Sequence, residues 1–346
     1  MFDEGFFLKV LKELVQSTGI SGFEDEVRNT LERLVAPYVS AVRYDRFGNL
    51  IAEIGPSSER TLVFAAHMDE IGFVVQYIDD SGFLRFYPVG GVDSRILPAS
   101  RVQVMTEKGR IPGVIGFKPP HIQRMEGEEK IEAVPYQKLF VDVGASSREE
   151  VEQMGIKVGD PITFEKRLVQ LGGSKISGTS LDDRVGCALL VALAKELSGE
   201  ELRSAVRVVF TLSEEYGLIG AHALGEAATF FVAVDSATTG DHPEVLPQLG
   251  VVKLGKGPVL RLVDAKGISH PKLRDLVLRA AKREGLKLQV AVLGGTTDAT
   301  AQMLKGVPST AVCFPIRYTH SPAEVVSLKD VESTFKLLKA MALEFS

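Results

Sequence analysis

The 346-residue chain has no tryptophan and only two cysteines, Cys187 and Cys313, both inside apolar runs. Two such thiols exclude a disulfide framework and read as buried and free. No apolar run approaches the roughly 20 residues that a membrane-crossing helix needs. Met1-Phe2-Asp3-Glu4 lacks the basic and apolar regions of a secretory leader, so the expected location is cytoplasmic. Positive charge is in short supply: 40 Lys and Arg stand against 45 Asp and Glu, a net charge of −5. The basic stripe that a phosphate backbone demands is missing. Neither nucleic acid nor membrane is therefore an expected partner. The chain also has no Gly-x-Ser-x-Gly elbow, no phosphate loop and no Gly-x-Gly-x-x-Gly, so a serine-hydrolase or nucleotide-binding reading has no foothold.

What is present is a set of short apolar runs, each leading into a metal-ligand residue. Thr61 to Ala66 leads into His67-Met68-Asp69, and Val206 to Leu212 leads into Ser213-Glu214-Glu215. Phe230 to Val234 leads into Asp235, and Ser309 to Phe314 leads through Pro315 to Thr319 and then His320. Such β-branched runs read as buried strands of a sheet covered on both faces. Ligands of such sheets bind in the crevice beyond the carboxyl ends of the strands, where these residues would meet. A fifth element, Ser180-Leu181-Asp182-Asp183-Arg184-Val185-Gly186, opens a helical run from Cys187 to Leu197. Taken alone, its two acids also read as an ordinary helix cap.

His67, Asp182, Glu215, Asp235 and His320 suffice for two divalent ions sharing one carboxylate. Imidazole with carboxylate suits zinc or cobalt, and manganese is also compatible. Glu214 stands beside a ligand but is not needed as one, which suits a general base; a solvated acidic pair is the plain alternative. Asp69, two residues past His67, can face the same side and hold the imidazole tautomer. Gly294-Gly295-Thr296-Thr297-Asp298-Ala299 precedes a helix and reads either as its cap or as part of a cleft. The remaining histidines, His121, His222, His242 and His270, lack a metal-like neighbour set.

The organisation along the chain is α/β, a mixed and mainly parallel sheet flanked by helices, with an inserted all-β barrel-like domain. Residues 1–70 and 166–346 are read as the catalytic domain. Residues 71–165, where Gly and Pro recur between short β-rich runs, form the insertion. Helices are expected over Phe6–Thr18 and about Glu24–Ala36, then near Lys272–Glu284, Ala299–Lys305 and Leu328–Leu343. Two strands are expected around Gly48-Asn49.

In order, His67-Met68-Asp69-Glu70-Ile71-Gly72, Leu181-Asp182-Asp183-Arg184-Val185-Gly186, Ser213-Glu214-Glu215, Val234-Asp235 and Arg317-Tyr318-Thr319-His320-Ser321-Pro322 resemble the motifs of the tetrahedral aminopeptidases, peptidase family forty-two. Ser21-Gly22-Phe23-Glu24 and the Gly294–Ala299 segment also fit. The resemblance implies a co-catalytic metallopeptidase fold and two metal ions per subunit, with His67 and Asp235 on one, Glu215 and His320 on the other, and Asp182 bridging. It implies a bridging hydroxide as nucleophile, Glu214 as general base, Asp69 as the partner of His67, and a cis peptide between Asp182 and Asp183. It further implies dimerisation through the β domain, a dodecamer built from those dimers, and short peptide substrates losing N-terminal residues. A related di-metal carboxypeptidase or N-deacylase is the alternative. An endoglucanase reading is rejected, because it would leave His67 and His320 without a task. The stretch Ser236 to Pro243 departs from the family pattern, so no side-chain preference is carried over.

Overall fold

A computed structural model describes residues 2–126, 133–225, 228–246 and 248–346. The chain divides into two compact units. Met1–Glu70, Arg167–Thr319 and Ala323–Ser346 form one; Ile71–Lys166 with His320–Pro322 forms the other.

The first unit begins with α1 (Glu4–Gln16), where Asp3 caps the helix by accepting from the Phe6 amide at 2.9 Å. Phe7, Val10, Leu11, Leu14 and Val15 recur at helical spacing and are all buried. A loop leads to α2 (Asp25–Val35) and then to strands β1 (Ala41–Tyr44), β2 (Leu50–Ile54) and β3 (Thr61–His67). The chain next builds the second unit from β4 (Gly72–Ile78), β5 (Leu84–Val89), β6 (Arg101–Thr106), β7 (Gly109–Gly116), α3 (Pro120–Met125), β8 (Phe140–Asp142), α4 (Arg148–Met154) and β9 (Pro161–Phe164). These six strands close into an antiparallel barrel, in the order β4-β5-β8-β7-β6-β9. Phe73 sits at its centre, with ring centroids of Phe86 and Phe164 at 4.9 and 5.5 Å in edge-on arrangements. Two helices, α3 and α4, interrupt what composition had suggested was purely β.

Returning to the first unit, the chain forms β10 (Leu168–Gln170), β11 (Lys175–Gly178), α5 (Leu181–Leu197), β12 (Ala205–Thr211), α6 (Ile219–Ala223), β13 (Phe230–Thr238) and β14 (Val259–Val263). It ends with α7 (Pro271–Arg283), β15 (Gln289–Val292), α8 (Asp298–Leu304), β16 (Ser309–Arg317), β17 (Glu324–Ser327) and α9 (Leu328–Phe345). The sheet order is β1-β2-β12-β3-β13-β16-β17-β11-β10, with β14 and β15 attached beside β16. The central strands β12, β3, β13 and β16 are parallel, whereas the flanks on either side pair antiparallel. This is the expected mixed sheet, parallel in the middle and again where β14 pairs with β15.

That middle positions the site. Every residue of β3 is buried, because each face of the sheet is covered. Leu62, Phe64 and Ala66 pack into the core that includes α1, α5 and α9; Val63 and Ala65 pack into the one that includes Ala299 of α8. Strand alternation therefore puts His67, in phase with Val63 and Ala65, on the α8 face. Thr211 pairs with His67 in register, so the segment after β12 begins level with it. Ala233 pairs with Ala65, which brings Asp235, two residues on, level with His67 and on the same face.

Candidate metal centre

His67, Asp182 and Asp235 are all buried, and one ligand atom from each lies within 4.8 Å of the others. The His67 Nε2 is 3.4 Å from Asp182 Oδ1, and its Nδ1 is 3.4 Å from Asp69 Oδ1. Asp182 and Glu215 also bring a carboxylate oxygen each within 4.8 Å of one another. The Asp182 carboxylate thus lies within 4.8 Å of His67 and Asp235 and also of Glu215, all on the first unit.

Asp182 and Asp183 take different tasks, and that of Asp183 was left open by the sequence. The peptide between them is cis, and neither has helical backbone angles although both lie at the start of α5. Asp183 caps: its Oδ1 accepts from the Gly186 amide at 3.0 Å. A Cβ on Gly186 would fall 2.4 Å from that carboxylate, so only glycine fits there. Asp182 faces His67, and its own amide donates to Glu324 Oε2 at 3.0 Å. Behind it, Arg184 is wholly buried 3.7 Å from Glu70, whose carboxylate also accepts from the Gly19 amide and the Ser180 hydroxyl. The start of α5 is thereby tied to the chain just past His67.

The electrostatics call for added positive charge. Burial pushes the Asp235 carboxyl up to about 7, with Asp182 adding to the rise while His67 and Arg261 oppose it. Burial raises Asp183 and Glu214 well above the usual carboxylate range, and raises Asp298 to about 6. His67 is raised as well, for a different reason. Burial opposes its charged form, but Asp182 and Asp69 outweigh it and hold the imidazole well above its ordinary value. Buried carboxylates crowded this closely cannot all ionise without a cation. A hard or borderline divalent ion fits this donor set of one imidazole and several carboxylates.

Asp69 has more to do than the sequence suggested. Beside His67, its Oδ1 accepts from the Glu214 amide at 3.0 Å, and its Oδ2 accepts from Glu215 at 3.1 Å and from the Ser21 hydroxyl at 2.7 Å. Sequence inspection gave no task to Glu24, although it lies in the Ser21–Glu24 motif, and missed Asn49 and Glu324; all three hold backbone at the site. Asn49, fully buried, accepts from the Leu212 amide at 3.0 Å and donates to the Gly220 carbonyl at 2.9 Å, spanning the Glu214-Glu215 loop. Asn49→Ala leaves the Leu212 amide unpaired and takes one of its two donors from the Gly220 carbonyl, which keeps the Leu224 amide, and the expected loss is about 1–3 kcal/mol. It is read as a lowered urea midpoint with an unchanged slope.

His320 lies in the short segment that groups with the barrel unit. There its Nδ1 sits 2.9 Å from the Gly91 carbonyl, which makes Nδ1 the protonated nitrogen and Nε2 the basic one. Of the Gly294–Ala299 segment, Thr297 takes the cap position of α8 and Asp298 is buried, accepting from the Thr211 hydroxyl. His222 and His121 are exposed, and His270 is the lead-in to α7. His242 is half-buried, with its ring 5.9 Å from that of Tyr318.

The mixed sheet, with imidazole and carboxylate groups buried at the ends of its parallel strands, and the closed barrel inserted in the chain are shared with solved aminopeptidases. Residues 48–337 match the profile of the M42 glutamyl aminopeptidase family, and the chain belongs to that family. It is accordingly an aminopeptidase of a metal-dependent family. The lysyl aminopeptidase of Pyrococcus furiosus is 34% identical over 97% of this chain and 96% of its own. The TET1 peptidase of Pyrococcus horikoshii, solved as a protein that assembles into a tetrahedron or a large octahedral shell, is 39% identical. It covers 98% of this chain and 99% of its own with a TM-score of 0.90. A TET aminopeptidase from a marine sediment Thaumarchaeota archaeon superposes with a TM-score of 0.94, at 33% identity over 98% of this chain and 96% of its own. Among the described residues, no helix is long and apolar enough to cross a membrane.

Proposed function

We propose that the chain removes N-terminal residues from peptides with two divalent cations, zinc or cobalt, and with Glu214 as the general base. The observation that carries this reading is the donor set His67, Asp182 and Asp235, with Glu215 brought within 4.8 Å of Asp182. His67 and Asp235 would hold one ion, Glu215 and His320 the other, and Asp182 would serve both. When bound, such a pair polarises a carbonyl oxygen and makes water acidic enough to deprotonate near neutral pH. The protein's own groups do the rest. Glu214, held with its amide on Asp69 and its carboxyl raised by burial, takes the proton from the attacking water and delivers it to the leaving amine. Asp69 keeps His67 Nδ1 protonated so that Nε2 faces Asp182. Dimerisation through the barrel unit (residues 71–165) and a dodecamer built from such dimers are part of the proposal. They rest on the family and on the TET assemblies among its relatives.

The family profile is named for glutamyl and one relative for lysyl substrates, so side-chain preference is left to measurement. The decisive experiment is hydrolysis of a panel of aminoacyl-p-nitroanilides and their N-acetylated counterparts by protein stripped and reloaded with zinc, cobalt or manganese. The expected result is cleavage of the free-amine set alone, restored by metal. Cleavage of the acetylated set would replace the aminopeptidase reading with a deacylase or endopeptidase.

A further inference from the structure

The loop that carries Glu214 and Glu215 is held from outside itself. Four consecutive amides at its start, those of Leu212, Ser213, Glu214 and Glu215, each donate to a side-chain oxygen. Leu212 donates to Asn49, Ser213 to Glu24 Oε1 at 3.0 Å, and Glu214 and Glu215 to the two oxygens of Asp69. The Ser213 hydroxyl donates to the same Glu24 oxygen at 2.9 Å. Ser213 has φ of 52°, in the left-handed region that a serine holds only when its surroundings over-determine it. That bend has a consequence for the two acids. On an extended strand their amides and side chains would alternate between faces. Here both amides converge on one carboxylate.

Glu24 belongs to the turn between α1 and α2, is 5% exposed, and among the described residues forms no ion pair with a basic side chain. Burial and the nearby charge of Asp69 both raise its carboxyl. An acid kept in such a place is costly, and its strongest visible work is to accept two hydrogen bonds from Ser213. Ser21 of the same turn donates to Asp69, so the turn supports both clamps on the loop.

We infer that Glu24 is a positioning residue for Glu214: by fixing Ser213 in its left-handed bend it aims the following carboxylate. This rests on the reading of Glu214 as the general base. Misplacing a catalytic group by about 1 Å costs up to about 100-fold. Glu24→Ala should therefore lower kcat by about 10- to 100-fold. KM should stay within about twofold, because ground-state binding is untouched. Metal content per chain should not change. Glu24→Gln keeps an oxygen able to accept both Ser213 bonds and should restore kcat to within about threefold. Ser213→Ala removes one of the two bonds and should give an intermediate loss, which keeps the test open if Glu24→Ala fails to fold.

The background variant Glu214→Gln separates the two readings. If Glu24 acts through Glu214, Glu24→Ala adds no further loss there. A full further loss in that background overturns the inference, as does an equal loss in Glu24→Ala and Glu24→Gln, or a rise in KM with kcat unchanged. If Glu214→Gln alone retains wild-type kcat, the base assignment falls, and it falls whatever the Glu24 variants do.

Discussion

Replacing Glu214 by Gln should lower kcat by about 10²–10⁴-fold, the range that a positioned general acid-base contributes. KM and bound metal should stay as they are. Gln preserves shape and the backbone bond to Asp69, so the loop keeps its place and only the ability to accept a proton is lost. The side chain is only part-buried, yet the Asp235, Glu215 and Asp298 charges add to its desolvation in raising the carboxyl. A group shifted in this way takes up and releases a proton at a pH where an ordinary glutamate would stay ionised. Steady-state kinetics with metal analysis on the same preparation checks the result. Loss of metal from Glu214→Gln would move Glu214 among the ligands and end its assignment as base.

Removing the metal should make stability fall as pH rises. In the metal-free protein the folded state holds a proton on Asp235 up to about 7 and on Asp298 up to about 6, whereas the unfolded chain releases both near 3.8. Between those values the folded state binds more protons than the unfolded one, so each rise in pH favours unfolding. The part carried by these two carboxyls begins to fall near pH 4 and levels off above about 7. Moving one carboxyl from 3.8 to about 7 corresponds to about 4 kcal/mol as an upper bound for Asp235. Asp235 and Asp298 share a site and do not simply add. A bound cation favours the ionised carboxylates and should flatten the slope. Urea unfolding of chelator-treated and reloaded protein at pH 5, 6, 7 and 8 tests this. Parallel curves for the two forms would show that these carboxyls do not carry the cation.

Much of this was legible in the chain. The central strands announced themselves as short apolar runs, because a strand covered on both faces can carry no polar alternation. Their exits gave His67, Glu214, Glu215 and Asp235 in plain sight. The β1-β2 turn and the spans of α1, α2, α5, α7, α8 and α9 followed from periodicity, caps and glycine stops. Boundaries were less readable. β13 runs three residues past Asp235 to Thr238, because β16 continues beside it to pair as far as Ile316. Asp182 was singled out from its neighbour Asp183 as the donor, but local preference alone makes either a cap and left the task of Asp183 open.

The chain by itself determined which segments are buried and which donors stand at their ends. Those properties depend on residues adjacent in sequence, and they set the metal chemistry available to the site. Only the tertiary structure decided how the donors are aimed. Glu24 meets Ser213 across 189 positions, Asp69 meets Glu214 across 145 and Glu324 meets Asp182 across 142. A hydrogen bond requires about 3 Å and a direction. No local pattern encodes that until the sheet has brought the partners together.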